Sequence, residues 1–218
     1  MRTFSFTWLL LFVACLVSAQ SKPTSVNIQA IPYSCFLLDG VKSFKVLSDN
    51  SLVLEAGKET DLHIPASGSY NRTNAPKFIF KPDKNFEFSA HIIPDFNQKY
   101  DGGALLIYTD KRNWAKILIQ YTGTKYLLGM SVVRNKITDD AYYEISNQKH
   151  IYLKATKHNQ VFQFYSSLDG KSWQLMREFK YEHSENLKVG FYSQSPVGAS
   201  CKVKYSDINY IKLKKLTL

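Results

Sequence analysis

The chain has 218 residues, with 28 Lys and Arg against 18 Asp and Glu, a formal charge of +10 and an apolar content of 44%. These are globular values that exclude a disordered tail, and ten Gly with seven Pro exclude collagen-like and low-complexity sequence. Three Cys are too few for a disulfide scaffold, and the length allows a full core without covalent staples.

The first element in chain order is a leader. Arg2 gives a positive start, residues 8–17 form an unbroken apolar run, and Val17-Ser18-Ala19 places small residues at the cleavage positions. That is the pattern of a secretory signal peptide, and the run is too short to span a bilayer. A rival reading makes Cys15 a lipid-anchored N-terminus after Phe12-Val13-Ala14, although Phe12 fits a lipobox poorly. The expectation is a signal peptide over residues 1–19, one domain over 20–218, and a secreted protein, periplasmic or extracellular, without a transmembrane segment. Export leaves Cys35 and Cys201. They form either one bridge between the two ends of the domain, worth roughly 4–5 kcal/mol in the entropic model, or two separate buried thiols. Asn71-Arg72-Thr73 is an N-glycosylation sequon, relevant in a eukaryotic source.

Strand signals follow. Residues 52–54 are apolar. Phe86, Phe88, Ala90 and Ile92 alternate with Glu87, Ser89 and His91, a period of two. Residues 103–109 (GALLIYT) are nearly all apolar, as in a strand covered on both faces. In residues 113–121 (NWAKILIQY), Ala115, Ile117, Ile119 and Tyr121 form one face; Trp114, Lys116, Leu118 and Gln120 form the other. Residues 126–134, 151–156, 161–166, 173–179, 187–194 and 200–213 continue the series. Asp101-Gly102, Thr122-Gly123, Asp169-Gly170 and Ser195-Pro196 supply turns between them. This pitch, without a long helical period, predicts an all-β sandwich or barrel. Residues 210–216 alternate with lysines, which suits an edge strand. Asp169-Gly170 predicts a type I′ hairpin. Ser167-Leu168-Asp169-Gly170-Lys171-Ser172-Trp173 also resembles the Asp-box hairpin of sialidases and other sugar-handling β-proteins, where it is structural.

The chemistry-bearing residues are sparse. His63, His91, His150, His158 and His183 form no metal-ligand spacing, and there is no C-x-x-C. No G-x-S-x-G and no phosphate loop is present, so neither a metal nor a cofactor is expected. Paired carboxylates on one strand face, which would mark a glycosidase, are absent. The lysines are scattered and the chain carries a leader, which argues against nucleic acid; the charge reads first as the solvated surface of an envelope protein, and an acidic polysaccharide is the functional version of the same observation. Trp114, Lys116 and Gln120 project together and suit a sugar, the ring by stacking and the polar groups by hydrogen bonding. Arg134, Tyr192 and Gln194 would join from neighbouring strands. The competing reading is that Trp114 closes one end of the core.

Several segments in register resemble a known family. Residues 100–108 (YDGGALLIY) and 110–121 (DKRNWAKILIQY) are similar to its DQAGLMLY…D…NWIKAGIEY pattern. Ser131-Val132-Val133, the 167–173 hairpin, residues 189–196 (VGFYSQSP) and Glu59-Thr60-Asp61-Leu62 resemble its S-V-V, S-x-DG-x-x-W, V-G-x-Y-x-x-S-P and T-D-F-W elements. This is the domain-of-unknown-function family 1349, related to the regulation-of-enolase proteins. The resemblance implies a concanavalin A-like jelly roll of two antiparallel sheets with a concave face, and a link to carbohydrate. Gln120 stands where the family pattern has Glu, Leu118 where it has Gly, and His63 where it has Trp. The leading expectation is therefore a secreted carbohydrate-binding sandwich rather than an enzyme. A glycoside hydrolase or lyase of the same fold, and an envelope structural or adhesion protein, are the alternatives.

Overall fold

The computed structural model describes residues 25–145, 147–181 and 185–214, and the leader, its cleavage site and Cys15 lie outside them. The described residues form seventeen strands and no helix. They are β1 (Ser25–Val26), β2 (Cys35–Leu38), β3 (Val41–Val46), β4 (Leu52–Gly57), β5 (Leu62–His63), β6 (Arg72–Thr73), β7 (Lys77–Phe80), β8 (Phe86–Asp95) and β9 (Gly102–Asp110). They continue with β10 (Asn113–Tyr121), β11 (Tyr126–Arg134), β12 (Ile137–Glu144), β13 (Ile151–His158), β14 (Val161–Ser167), β15 (Gln174–Lys180), β16 (Lys188–Gln194) and β17 (Ser200–Lys212).

Two antiparallel sheets make a jelly-roll sandwich. The eight-stranded sheet runs β1-β2-β7-β16-β9-β10-β11-β12 and the seven-stranded sheet runs β15-β14-β13-β8-β17-β4-β3. The main core lies between them and takes one parity from each strand. Ala115, Ile117 and Ile119 of β10, Phe86 and Phe88 of β8, and Phe162 and Phe164 of β14 all belong to it. Much of the aromatic content is spent here. Phe88 meets Phe80 edge-on at 5.3 Å between centroids and Phe191 at 5.0 Å, contacts that add about 0.5–1.5 kcal/mol per pair beyond burial.

Strand β9 is apolar throughout because it has a core on each face. Leu105 and Ile107 enter the main core, whereas Ala104, Leu106 and Tyr108 enter a second, smaller cluster. That second cluster exists because the two-stranded ribbon β5-β6 and its flanking residues lie over the outer face of the eight-stranded sheet. Leu62, Ile64 and Ala75 pack there against Trp114, Leu118 and Val133.

Three local expectations are decided. Cys35 and Cys201 are both buried and free, on β2 and β17, and form no bridge. The 167–173 hairpin is not type I′, since Gly170 has φ 71° but Asp169 is not in the left-handed region. Instead the Asp169 carboxylate accepts the backbone N–H of Lys171 and Ser172, each at 2.8 Å, and draws a wider loop around itself. Finally, β17 is an interior strand, between β8 and β4. Its lysine-rich end is nonetheless a local edge, because pairing with β4 stops at Tyr205 while pairing with β8 continues to Lys212.

Candidate functional site

The pairing register fixes what faces outward from the eight-stranded sheet. One row crosses β16, β9, β10 and β11 as Gln194, Gly102, Gln120 and Leu127. The next runs Tyr192, Ala104, Leu118, Gly129 and, on β12, Tyr142. The third runs Gly190, Leu106, Lys116, Ser131 and Asp140. The last places Trp114 between Tyr108 and Val133. The ribbon covers the last two rows and also packs on Tyr192, Ala104 and Leu118 of the second. Lys116 Nζ donates to the Leu62 carbonyl at 2.6 Å, and Thr138 Oγ1 donates to the Ile64 carbonyl. Thr60 Oγ1 donates to the Gly57 carbonyl at 2.7 Å and accepts the Ser195 N–H at 3.1 Å, which ties the start of the ribbon to the end of β16.

The first row and the margin of the ribbon line a groove of about 880 Å³, the size of an oligosaccharide or drug-sized ligand site. Its floor is Gln120, Leu127 and Lys116, and Tyr70, Arg72, His63, Lys99, Tyr100, Tyr142, Pro196 and Val197 are among the residues around it. Two tyrosines present rings to solvent there. Tyr142 is 44% exposed and its ring lies against the backbone of Gly129, where a Cβ would stand 2.9 Å from Tyr142 Cε1. A side chain on that residue of β11 would push the ring off the sheet. Tyr100 is 39% exposed and adopts φ 69°, a left-handed conformation that costs a bulky residue about 1–3 kcal/mol. Its neighbours impose that conformation. The Tyr100 N–H donates to the Tyr121 carbonyl at 2.6 Å, and the Tyr100 carbonyl accepts Gln194 Nε2 at 2.9 Å. The buried Asp101 carboxylate accepts the N–H groups of Asn97 and Gln98 and the Ser195 hydroxyl.

The charged groups sit at the boundary between ribbon and groove. Burial pushes the Lys116 ammonium pKa down, and the charges of Asp61 and Asp140 oppose that shift. Burial likewise raises the Asp61 carboxyl against the pull of Lys116 and His63. Burial and Lys116 lower His63, which favours the neutral ring. Asp61 accepts its neighbour's N–H at Leu62 (2.8 Å) and the Tyr70 hydroxyl (3.3 Å). Among the described residues no cluster of three or more His, Cys, Asp or Glu could hold a metal ion.

Of the residues singled out in the sequence, Lys116, Gln120 and Gln194 line the groove together. Gln194 is largely a brace, holding the Tyr100 carbonyl and accepting the Tyr192 hydroxyl at 3.0 Å. Gln120 has no hydrogen-bond partner for its amide among the described residues, and beside it Gly102 leaves the floor open. Trp114 and Tyr192 share the outer face but are fully buried, so the accessible ring that stacking by Trp114 requires is missing; the ribbon covers it. Arg134 lies one residue off the groove parity and donates to the Lys180 carbonyl instead. Sequence reasoning passed over Tyr100, Tyr142, Asp61, Arg72 and Lys99. The positive φ of Tyr100 has no sequence signature, and β12, with its acidic ITDDAYYE, gives a weak strand signal.

The family described as "Protein of unknown function (DUF1349)" matches residues 40–212. Regulation of enolase protein 1 of Saccharomyces cerevisiae (strain ATCC 204508 / S288c) is 20% identical over 156 residues, 72% of this chain and 79% of that protein. A solved structure of a functionally unknown S. cerevisiae protein superposes with a TM-score of 0.76 at 19% identity, over 83% of this chain and 97% of that one. The Bacteroides ovatus chain "Xyloglucan PUL GH43B" superposes with a TM-score of 0.65 at 13% identity, over 97% of this chain and 41% of that one. At these identities the structural likeness is one of fold.

Proposed function

The chain belongs to the DUF1349 family of proteins of unknown function, and on that premise we propose that it is an exported protein that binds carbohydrate in the groove over its eight-stranded sheet. The observation that carries this reading is the pair of exposed tyrosines. The Tyr142 ring lies against the notch left by Gly129, and Tyr100 is held in a strained conformation by hydrogen bonds on both sides. Strain kept at an exposed aromatic is a mark of use rather than of stability. A flat ring offers an apolar face to the C–H face of a pyranose, and its hydroxyl offers a polar edge. Gln120 supplies the free amide on the floor, with donor and acceptor for sugar hydroxyls. The sandwich shared with a protein from a xyloglucan locus supports the choice of ligand class, and the leader pattern in residues 1–19 supports export.

A hydrolase or lyase is the second reading, and Asp61 is what favours it. Its carboxyl lines the groove and burial raises its pKa, as a general acid would need. Asp61 is the one carboxylate on the groove lining among the described residues, whereas a glycosidase of the usual kind needs two. Binding is therefore the function the geometry supports best.

Titration calorimetry against a panel of plant and bacterial oligosaccharides tests it. Tyr142→Ala and Tyr100→Gly should each weaken binding about tenfold, the loss of roughly 1–2 kcal/mol expected for a stacking anchor. Glycine at position 100 also relieves the left-handed strain, so that variant stays folded. Unchanged affinity in both variants, or no binding across the panel, would overturn the reading.

A further inference from the structure

The groove carries cations that the protein itself leaves without acid partners. Arg72 lies over the Tyr70 ring, 5.4 Å from its centroid, and its guanidinium donates only to the Glu59 carbonyl. Lys99 Nζ lies over the Tyr100 ring at 4.8 Å. Lys116, 2% exposed, sits at the floor with a single hydrogen bond to the Leu62 carbonyl, over the rings of Trp114 at 5.3 Å and Tyr192 at 5.6 Å, with the charges of Asp61 and Asp140 acting on it only from a distance. Among the described residues none of the three has a carboxylate within ion-pair distance. Elsewhere the buried Lys77 is paired with Asp39 at 2.6 Å and the half-buried Lys154 with Glu87 at 3.5 Å, while the buried Lys157, away from the groove, donates to two carbonyls, those of Lys84 and Asn159. A buried ammonium without a close counter-ion is costly unless something completes its contacts. On the groove lining these three cations face one carboxylate, Asp61, whose charged form burial disfavours.

The position of the cations matters as much as their number. The half-buried Arg72 rests on Tyr70 and the exposed Lys99 on Tyr100, so charge and aromatic surface are presented side by side at the groove. A neutral glycan would use the rings and leave the cations idle. A sugar that carries a carboxylate on the ring carbon next to its C–H face uses both. We infer that the ligand is a uronate-containing oligosaccharide, its carboxylates set against Arg72 and Lys99 and its rings on Tyr100 and Tyr142. This rests on the carbohydrate reading above and narrows it.

The test compares oligogalacturonate and oligoalginate with their methyl esters, which keep the rings and lose the charge, and with neutral xylo-oligosaccharides. The expected result is that one acid form binds about tenfold more tightly than its ester, the sum of two partly exposed ion pairs. The advantage should shrink as salt rises. Arg72→Gln and Lys99→Gln should each weaken acid binding several-fold and ester binding by a smaller factor, so that the preference for acid over ester narrows in each. Lys171→Gln, on an exposed hairpin away from the groove, makes the same charge change and should alter neither, which separates a site from the general attraction of a basic protein for a polyanion. Equal affinity for acid and ester, or equal losses in Lys171→Gln and the groove variants, would overturn the inference. If neutral oligosaccharides bind and Tyr142→Ala abolishes that binding, the carbohydrate reading survives while the uronate inference fails. If no glycan binds, both fail.

Discussion

Cys35 and Cys201 stand at full burial on opposite sheets, and desolvation raises both thiols, Cys35 to about 12. A thiol in that state is neither nucleophile nor redox partner at neutral pH. Alkylation followed by peptide mapping should therefore leave both unmodified in the native protein and modify both in denaturant. A Cys35–Cys201 linked peptide, or native-state labelling, would contradict the structure. The same residue scale shows what alternation can and cannot give. Parity in residues 113–121 placed Trp114, Lys116 and Gln120 on one face, because side-chain direction in a strand is a local property. Whether that face meets water is not local. Trp114 is covered by Leu62, Ile64 and Ala75, distant in the chain, and no pattern within β10 announces them. Arg134 fails for a simpler reason: one position of parity sends it to the other face.

At the scale of elements, glycines locate the tight places. Gly190 lies in β16 between β7 and β9, and a Cβ there would stand 2.1 Å from the Phe78 carbonyl oxygen and 2.8 Å from Ile79 Cα. Backbone cannot give way as a side chain can, so Gly190→Ala should cost about 3 kcal/mol or more in chemical denaturation. Gly40, in the β2–β3 turn, has nothing within 4 Å of a built Cβ. Gly40→Ala should change stability by less than about 0.5 kcal/mol. Equal effects from the two would mean that β16 does not pack as described. The long apolar and alternating strands β8 to β11, β13, β14 and β16 were legible from period alone. Strands β2, β3, β7 and β12 and the ribbon were not, because they are short or polar and owe their form to pairing partners. The Asp169 loop was placed correctly and typed wrongly, since its shape comes from a carboxylate accepting two N–H groups rather than from two left-handed residues.

For the molecule as a whole, segments that resemble the family pattern separately in the sequence converge in space. Thr60 and Asp61 anchor and flank the ribbon, Tyr100 to Gly103 build the strained rim and open floor, Gln120 is the floor amide, and Ser195 with Pro196 closes one side. Fold and parity could be read from the chain; the groove could not, because its walls come from segments whose meeting depends on the ribbon folding over the sheet. Net charge likewise says little until position is known, and here three of the cations stand at one groove. Chemical-shift mapping with a bound oligosaccharide would locate the ligand on the protein. The largest shifts should fall on the Gln120 side-chain amide and on backbone amides at Tyr100, Gly129 and Tyr142. Shifts clustered instead around Leu168 and Trp173 at the hairpin, with none at Gln120 or Tyr142, would contradict that placement.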